Sequence, residues 1–237
     1  MESKTKSKTT PSNLSNNELD NLGRDIVEKG RRRPSSSSST ATASSSSSST
    51  TTTLSPKTSR LLLALNFEAD RAGGKKWGNL DPIFRHSKTG AMVFCGNTNA
   101  AQSKQILSEN GITRVVNCKD PDSPCYHEKD PSFEYLRFPI AYHYRDLPNR
   151  NRQATLKYFG KLHNWVDAQL SDGKSVLIHC LAGAHRAGTA SVSYMMYAGN
   201  LSKNEAIAIA QRQRPVICPI GSFPALLDKL ESALHKT

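Results

Sequence analysis

The sequence predicts an α/β fold, a single domain whose central, mostly parallel sheet is flanked by helices and preceded by a disordered tail. Three observations carry that expectation. Short β-branched runs alternate with helix-period stretches from Ile83 onward, the order that builds a parallel sheet. The stretch from Ser175 to Thr189 reads as strand, small-residue loop and helix start in immediate succession. Residues 1–60, finally, are dominated by Ser, Thr, Lys and Arg, with a nearly unbroken Ser/Thr tract from Ser35 to Thr53. Such a segment buries too little apolar surface to offset its ordering entropy. The boundaries follow: 1–60 is the tail and 61–237 the folded domain.

In chain order, Ile83–His86 and Ala91–Cys95 read as two strands joined by the turn Ser87–Gly90. Asn97 or Asn99 then caps a helix carrying Ala100, Ile106 and Leu107, which Asn110-Gly111 ends. Ile112–Cys118 is β-branched and strand-like, Lys119–Pro131 is a surface loop rich in Pro, Asp and Ser, and Glu134–Ile140 alternates as a strand. Leu156, Phe159, Leu162, Val166 and Leu170 recur at helical spacing up to Asp172-Gly173. Val176–Ile178 is the short apolar run of a buried parallel strand, and Ala190–Tyr197 the uncharged face of an interior helix stopped at Gly199-Asn200. Ser202–Glu205 is a capping box for the next helix, and Ser222 with Pro224 opens a last one striped by Leu226, Leu227 and Leu230.

The chain has 237 residues and a formal net charge of +12. Ten basic against five acidic residues in the tail account for part of it. The remainder fits an enzyme that steers anionic substrates, with nucleic acid not excluded as a partner. Arg31-Arg32-Arg33 reads either as a nuclear address or as inert linker, and the inert reading is preferred. Five cysteines at irregular spacing argue against a disulfide framework and for a reducing, cytoplasmic or nuclear setting. Cys118, Cys125 and His127 lack the paired spacing of a metal site, and no metal or other cofactor is expected. No apolar run reaches the length of a membrane span. Oligomeric state is not legible.

The chemistry concentrates at Cys180–Arg186. Amides of a tight loop entering a helix form an anion cradle, and an arginine at its far end adds a planar fork for two phosphate oxygens. A cysteine in that field is favoured as its nucleophilic thiolate. Cys180 with Arg186 therefore points to covalent attack on phosphorus, with Leu181, Ala182, Gly183, Ala184, His185 and Arg186 binding the phosphate.

His179, Cys180, Gly183 and Arg186 together spell His-Cys-x-x-Gly-x-x-Arg, which resembles the signature of the cysteine-dependent dual-specificity phosphatases of the protein tyrosine phosphatase superfamily. The likeness runs from Ile83 to the terminal helix and implies a phosphatase-like sheet. It also implies a general acid on an upstream loop. Asp146 is the only carboxylate between Tyr135 and Val166, at an offset from Cys180 slightly longer than the family shows; Asp120 and Asp122 are weaker substitutes. By the same resemblance His179 is a supporting histidine bonded to backbone, and Cys118 a redox partner forming a reversible disulfide with Cys180. His185 is read as shaping the pocket rim. One departure is Ala187, where the family commonly has Ser or Thr to stabilise the departing thiolate, so a slow second step is expected. The Thr189 hydroxyl is expected to bond a helix carbonyl rather than to replace it.

The resemblance implies a phosphoprotein phosphatase that hydrolyses phosphotyrosine and phosphoserine/phosphothreonine monoesters through a cysteinyl-phosphate, with phosphorylated proteins as substrates. An RNA 5′-triphosphatase or other non-protein phosphatase on the same scaffold is the alternative, followed by a phosphate-binding pseudophosphatase.

Overall fold

A computed structural model describes residues 78–147 and 151–235; the expected tail at 1–60, and the chain from Leu61 to Trp77, lie outside the described residues. Strands β1 (Leu80–Arg85), β2 (Met92–Gly96), β3 (Ile112–Asn117), β4 (Glu134–Arg137) and β5 (Ser175–His179) form one sheet in the order β1-β2-β5-β3-β4. Only β1 and β2 pair antiparallel, as the expected hairpin; β2–β5, β5–β3 and β3–β4 are parallel. The sheet is thus mostly parallel, with β5 at its centre.

Side chains alternate across a strand, and that alternation sorts the core into two faces. Phe94, Val115 and Leu177 point to the side covered by α1 (Thr98–Gln102) and α2 (Lys104–Glu109), which add Ala100, Ala101 and Leu107. Val93, Cys95, Val116, Val176 and Ile178 point to the other side, under α4 (Arg152–Ser171), α5 (Arg186–Gly199), α6 (Lys203–Gln213) and α7 (Phe223–Leu234). No described helix is long and apolar enough to cross a membrane.

Local chemistry sets the ends. Asn97 caps α1 by accepting from the Ala100 amide. The single helix expected after it is broken at Ser103, whose extended backbone ends α1 while its hydroxyl accepts from the Ile106 amide and starts α2. The Ser202–Glu205 capping box is formed on α6. The strand expected to reach Ile140 stops at Arg137; beyond Pro139 the chain makes a 3-10 turn (Ile140–Tyr142) and the four-residue helix α3 (His143–Asp146). His143 fixes this corner, its Nδ1 donating to the Ile140 carbonyl at 3.0 Å and its ring lying against Phe223.

Candidate active site

The loop 180–186 connects β5 to α5 at the carboxyl end of the central parallel strand, where open α/β sheets bind their ligands. Its shape is dictated by where its carbonyls go. The Cys180 carbonyl accepts from Thr98 Oγ1 (3.1 Å) and that of Leu181 from the Thr98 amide (3.0 Å). Arg214 donates through Nη2 to Ala182 (2.9 Å) and through Nε to Gly183 (2.8 Å). The Ala184 carbonyl accepts from the Cys218 amide (3.1 Å), and that of His185 from the amide (2.8 Å) and hydroxyl (2.7 Å) of Thr189. In a trans peptide the N–H points opposite to the C=O. Binding the successive carbonyls to the surrounding scaffold therefore turns the amides of Leu181 to Arg186 the other way, into one bowl. The Gly183 amide shows the result, donating to Cys180 Sγ at 3.3 Å.

Gly183 is required at this bend. Its φ is +67°, and a Cβ there would run into the Gly96 carbonyl and the Arg214 guanidinium. Arg186 opens α5 and is almost wholly buried; burial pushes its pKa down to about 10, which leaves it charged at neutral pH. The bowl thus presents inward amides, a guanidinium and a helix N-terminus around one sulfur, the field that suits a tetrahedral oxyanion.

Sequence reasoning missed a fully buried charged member of this assembly. Arg214, completely inaccessible, holds two loop carbonyls and pairs with Asp81 through Nη1 at 2.6 Å, also reaching the Gly78 carbonyl at 3.0 Å. Asp81 and Thr98 were missed for the same reason: their partners are far along the chain, and no local pattern marks them. The Pro215 that follows Arg214 is the one local cue that the helix ends there.

The two histidines of this segment and Asp120 each have defined surroundings. His179 is fully buried and lies against the Cys180 backbone, the kind of contact expected of it. Burial, helped by the Lys119 charge and opposed by the nearby Cys180 backbone, pushes it down to about 3, and it stands neutral beneath the loop. His185 is also buried rather than lining the rim: its Nδ1 donates to the Cys218 carbonyl at 2.7 Å, closing with the Cys218–Ala184 bond a two-way clamp on the loop. Burial lowers its pKa, and that carbonyl opposes the shift. A carboxylate faces the loop arginine: Asp120 Oδ1 is 3.6 Å from Arg186 Nη1.

Asp146 ends α3 with its side chain exposed. It lies near the buried Tyr158 hydroxyl, whose pKa is pushed up by burial with the charges of Asp146 and Cys118 adding. Arg145 does not pair with it but stacks 4.5 Å above the Tyr142 ring. Ala187 is fully buried. Cys118 sits beside Cys180 by register: Asn117 is opposite His179, and the Cys118 amide donates to the His179 carbonyl at 2.9 Å. Burial raises its pKa well above the usual thiol range, with Cys180 and Cys95 adding. Cys95, its Sγ 3.5 Å from the Gly183 carbonyl, is pushed up to about 11, again by burial first.

The family model for the dual specificity phosphatase catalytic domain matches residues 93–233, from β2 to α7 and across the whole loop. The chain belongs to the dual-specificity phosphatase family. Among curated members it is 30% identical over 143 residues to human dual specificity protein phosphatase 9, covering 60% of this chain and 35% of that protein. It is 29% identical over 144 residues to Mpk3 of Drosophila melanogaster, covering 61% and 33%. The chain spans about a third of the length of these curated relatives. Among solved structures, human DUSP28 superposes with a TM-score of 0.51 at 21% identity, over 68% of this chain and 97% of that one. The leucine rich repeat and phosphatase domain containing protein of Entamoeba histolytica gives 0.50 at 16%, over 66% and 92%. At these identities the likeness shows the family's fold.

Proposed function

We propose that this chain is a phosphatase that hydrolyses phosphotyrosine and phosphoserine/phosphothreonine monoesters in proteins through a cysteinyl-phosphate. The observation that supports the reading is the run of outward-bound carbonyls from Cys180 to His185, which turns the loop amides toward one anion position beside Cys180 Sγ, with Arg186 closing the loop.

In the first step the Cys180 thiolate attacks phosphorus in line. The S–P bond forms as the P–O bond to the substrate breaks, and the leaving oxygen takes a proton from Asp146. The loop amides and the Arg186 fork hold the equatorial oxygens, whose charge is spread in the transition state. In the second step Asp146, now ionised, takes a proton from water, which attacks phosphorus and expels the thiolate. His179 stays neutral throughout, since its pKa lies far below the working pH. Ala187 offers no hydroxyl to the departing sulfur, so the second step is the slow one. Rapid mixing with a phosphotyrosine peptide should give a burst of the dephosphorylated product followed by slower turnover; hydrolysis of the intermediate much faster than its formation contradicts this.

A second reading, removal of the 5′ γ-phosphate of RNA, is favoured by one feature. Tyr142, Arg145 and Tyr144 form a stacked aromatic and basic cluster on the segment that carries Asp146, with Tyr144 half exposed, the combination that stacks bases of single strands. Phosphate release from triphosphate-ended RNA exceeding that from phosphopeptides would favour it.

A further inference from the structure

Asp81 stands near the start of β1, paired in register with Cys95 on β2, whose Sγ reaches the Gly183 carbonyl at 3.5 Å. The chain just before it is braced. The Asn97 amide donates to the Asn79 carbonyl at 2.9 Å, and the Asn97 side chain donates to that of Asn79 at 3.2 Å. From this fixed point Oδ2 of Asp81 accepts from Arg214 Nη1 at 2.6 Å, and the same nitrogen donates to the Gly78 carbonyl at 3.0 Å. The pair is enclosed, with the Arg214 side chain 0% and that of Asp81 14% exposed. Nε and Nη2 of the same guanidinium donate to the consecutive carbonyls of Gly183 and Ala182. One rigid plane thus joins an edge strand to the middle of the loop 180–186.

We propose that Asp81 is a positioning residue for the reaction: by fixing the Arg214 plane it fixes the Ala182 and Gly183 carbonyls, and so aims the Gly183 and Ala184 amides at the phosphate. This rests on the phosphatase reading above. A guanidinium carries its N–H donors in a rigid fork, so a carboxylate that holds Nη1 sets where Nε and Nη2 point. The peptide planes carry that setting onward. The Gly183 amide faces opposite to the Ala182 carbonyl, and the Ala184 amide opposite to the Gly183 carbonyl. The Gly183 amide is the one that donates to Cys180 Sγ at 3.3 Å, so a displacement at Asp81 is passed to the sulfur. Asp81 acts through Arg214, and the proton transfers stay with Asp146.

The test uses the full chain with Asp81→Glu and Asp81→Asn, and with Phe84→Leu as a control that loosens β1 where it packs on Tyr194. Binding of inorganic tungstate, a tetrahedral oxyanion, is measured by calorimetry in a Cys180→Ser background, kcat on a phosphotyrosine peptide, and stability by urea unfolding. Asp81→Glu keeps the charge but carries its carboxylate one methylene further toward Arg214, and a misplacement of ~1 Å away from the chemistry costs up to about 10²-fold in rate. Positioning predicts that both Asp81 variants bind tungstate about tenfold more weakly and lose at least about tenfold in kcat. Phe84→Leu should lower the urea midpoint and leave tungstate affinity and kcat as they were. Should Asp81→Asn not fold, Asp81→Glu carries the test by itself. Tungstate affinity and kcat of Asp81→Glu equal to those of the unmodified residue would overturn the proposal, reducing Asp81 to a counter-charge for Arg214. An equal loss of both in Phe84→Leu would also overturn it, tracing the effect to a loosened strand. Absence of turnover by the unmodified chain, with tungstate binding that still depends on Asp81, would leave positioning standing and remove the phosphatase reading alone. Failure of the Cys180→Ser chain to bind tungstate at all would overturn both.

Discussion

Arg214 donates to the Gly183 carbonyl at 2.8 Å from thirty-one positions further along the chain, and does so with a side chain that no solvent reaches. The contact fixes which way a peptide plane faces. With the carbonyl held down, the amide of Ala184 faces the bowl, and the parallel bond to Ala182 does the same for Gly183. The shape of the loop is therefore made as much by the end of α6 and by Asp81 on β1 as by the loop itself.

Arg214→Lys keeps the charge but loses the fork that holds two carbonyls and Asp81 together. We expect kcat to fall about 10²–10³-fold, the cost of losing aligned oxyanion donors. Stability should fall by about 3–5 kcal/mol, because Asp81 and the carbonyls keep their burial without their partner. Steady-state kinetics with urea unfolding checks both; a variant that is destabilised yet fully active would show that the loop holds its shape unaided.

Gly183 and Gly111 make a matched pair, both at positive φ (+67° and +62°), but only Gly183 has neighbours where a Cβ would stand. Gly111→Ala should cost about 1–2 kcal/mol from the left-handed backbone alone and leave kcat intact. Gly183→Ala should cost more and abolish turnover, since either the Gly96 carbonyl or Arg214 must give way. Equal urea midpoints for the two variants would contradict the packing described.

His163 and His179 are each pushed down to about 3, by burial first in both cases, from a reference value of 6.5. Between those limits the unfolded chain binds protons that the folded chain refuses, so stability rises with pH across that window. Both contributions are complete above the unfolded value and are lost as pH falls from 6.5 toward 3. Each adds a slope of up to ~1.4 kcal/mol per pH unit. His163→Phe, which keeps a ring to stack on Tyr197 and Phe159, should flatten the change in urea midpoint between pH 7 and pH 5; an unchanged slope would show that His163 is protonated when folded.

Cys118 adjoins Cys180 across β3 and β5, whereas Cys95 lies opposite Ile178 and is only diagonal to Cys180. Disulfide geometry favours the adjacent pair. Mild peroxide should oxidise Cys180 to the sulfenic acid, which the Cys118 thiol converts to a disulfide with loss of water. Because burial raises the Cys118 pKa, the disulfide should form faster at alkaline pH. Mass spectrometry should find irreversibly oxidised Cys180 in Cys118→Ser but not in Cys95→Ser; the reverse pattern would make Cys95 the partner.

The sheet, its hairpin and the long helices were legible because their signals are local: apolar periodicity along Phe159, Leu162, Val166 and Leu170, a capping box at Ser202, Asn-Gly and Asp-Gly stops. The loop was legible because Cys180, Gly183 and Arg186 fall within one turn of chain. The break at Ser103 was hidden, since a serine serves equally inside a helix or at its cap. What supports the loop was hidden too. Arg214, Asp81, Thr98 and Asp120 meet it only after the sheet has brought distant segments together, and a buried arginine looks, in sequence, like a solvated one.

The most direct test of the central claim is phosphate release by the full chain from matched phosphotyrosine and phosphothreonine peptides, with Cys180→Ser as control and acid-quench trapping of the labelled enzyme. The account predicts turnover of both peptides, a phosphate label on Cys180, and neither in the variant. Turnover that survives Cys180→Ser, or phosphopeptide binding without any release, would contradict it.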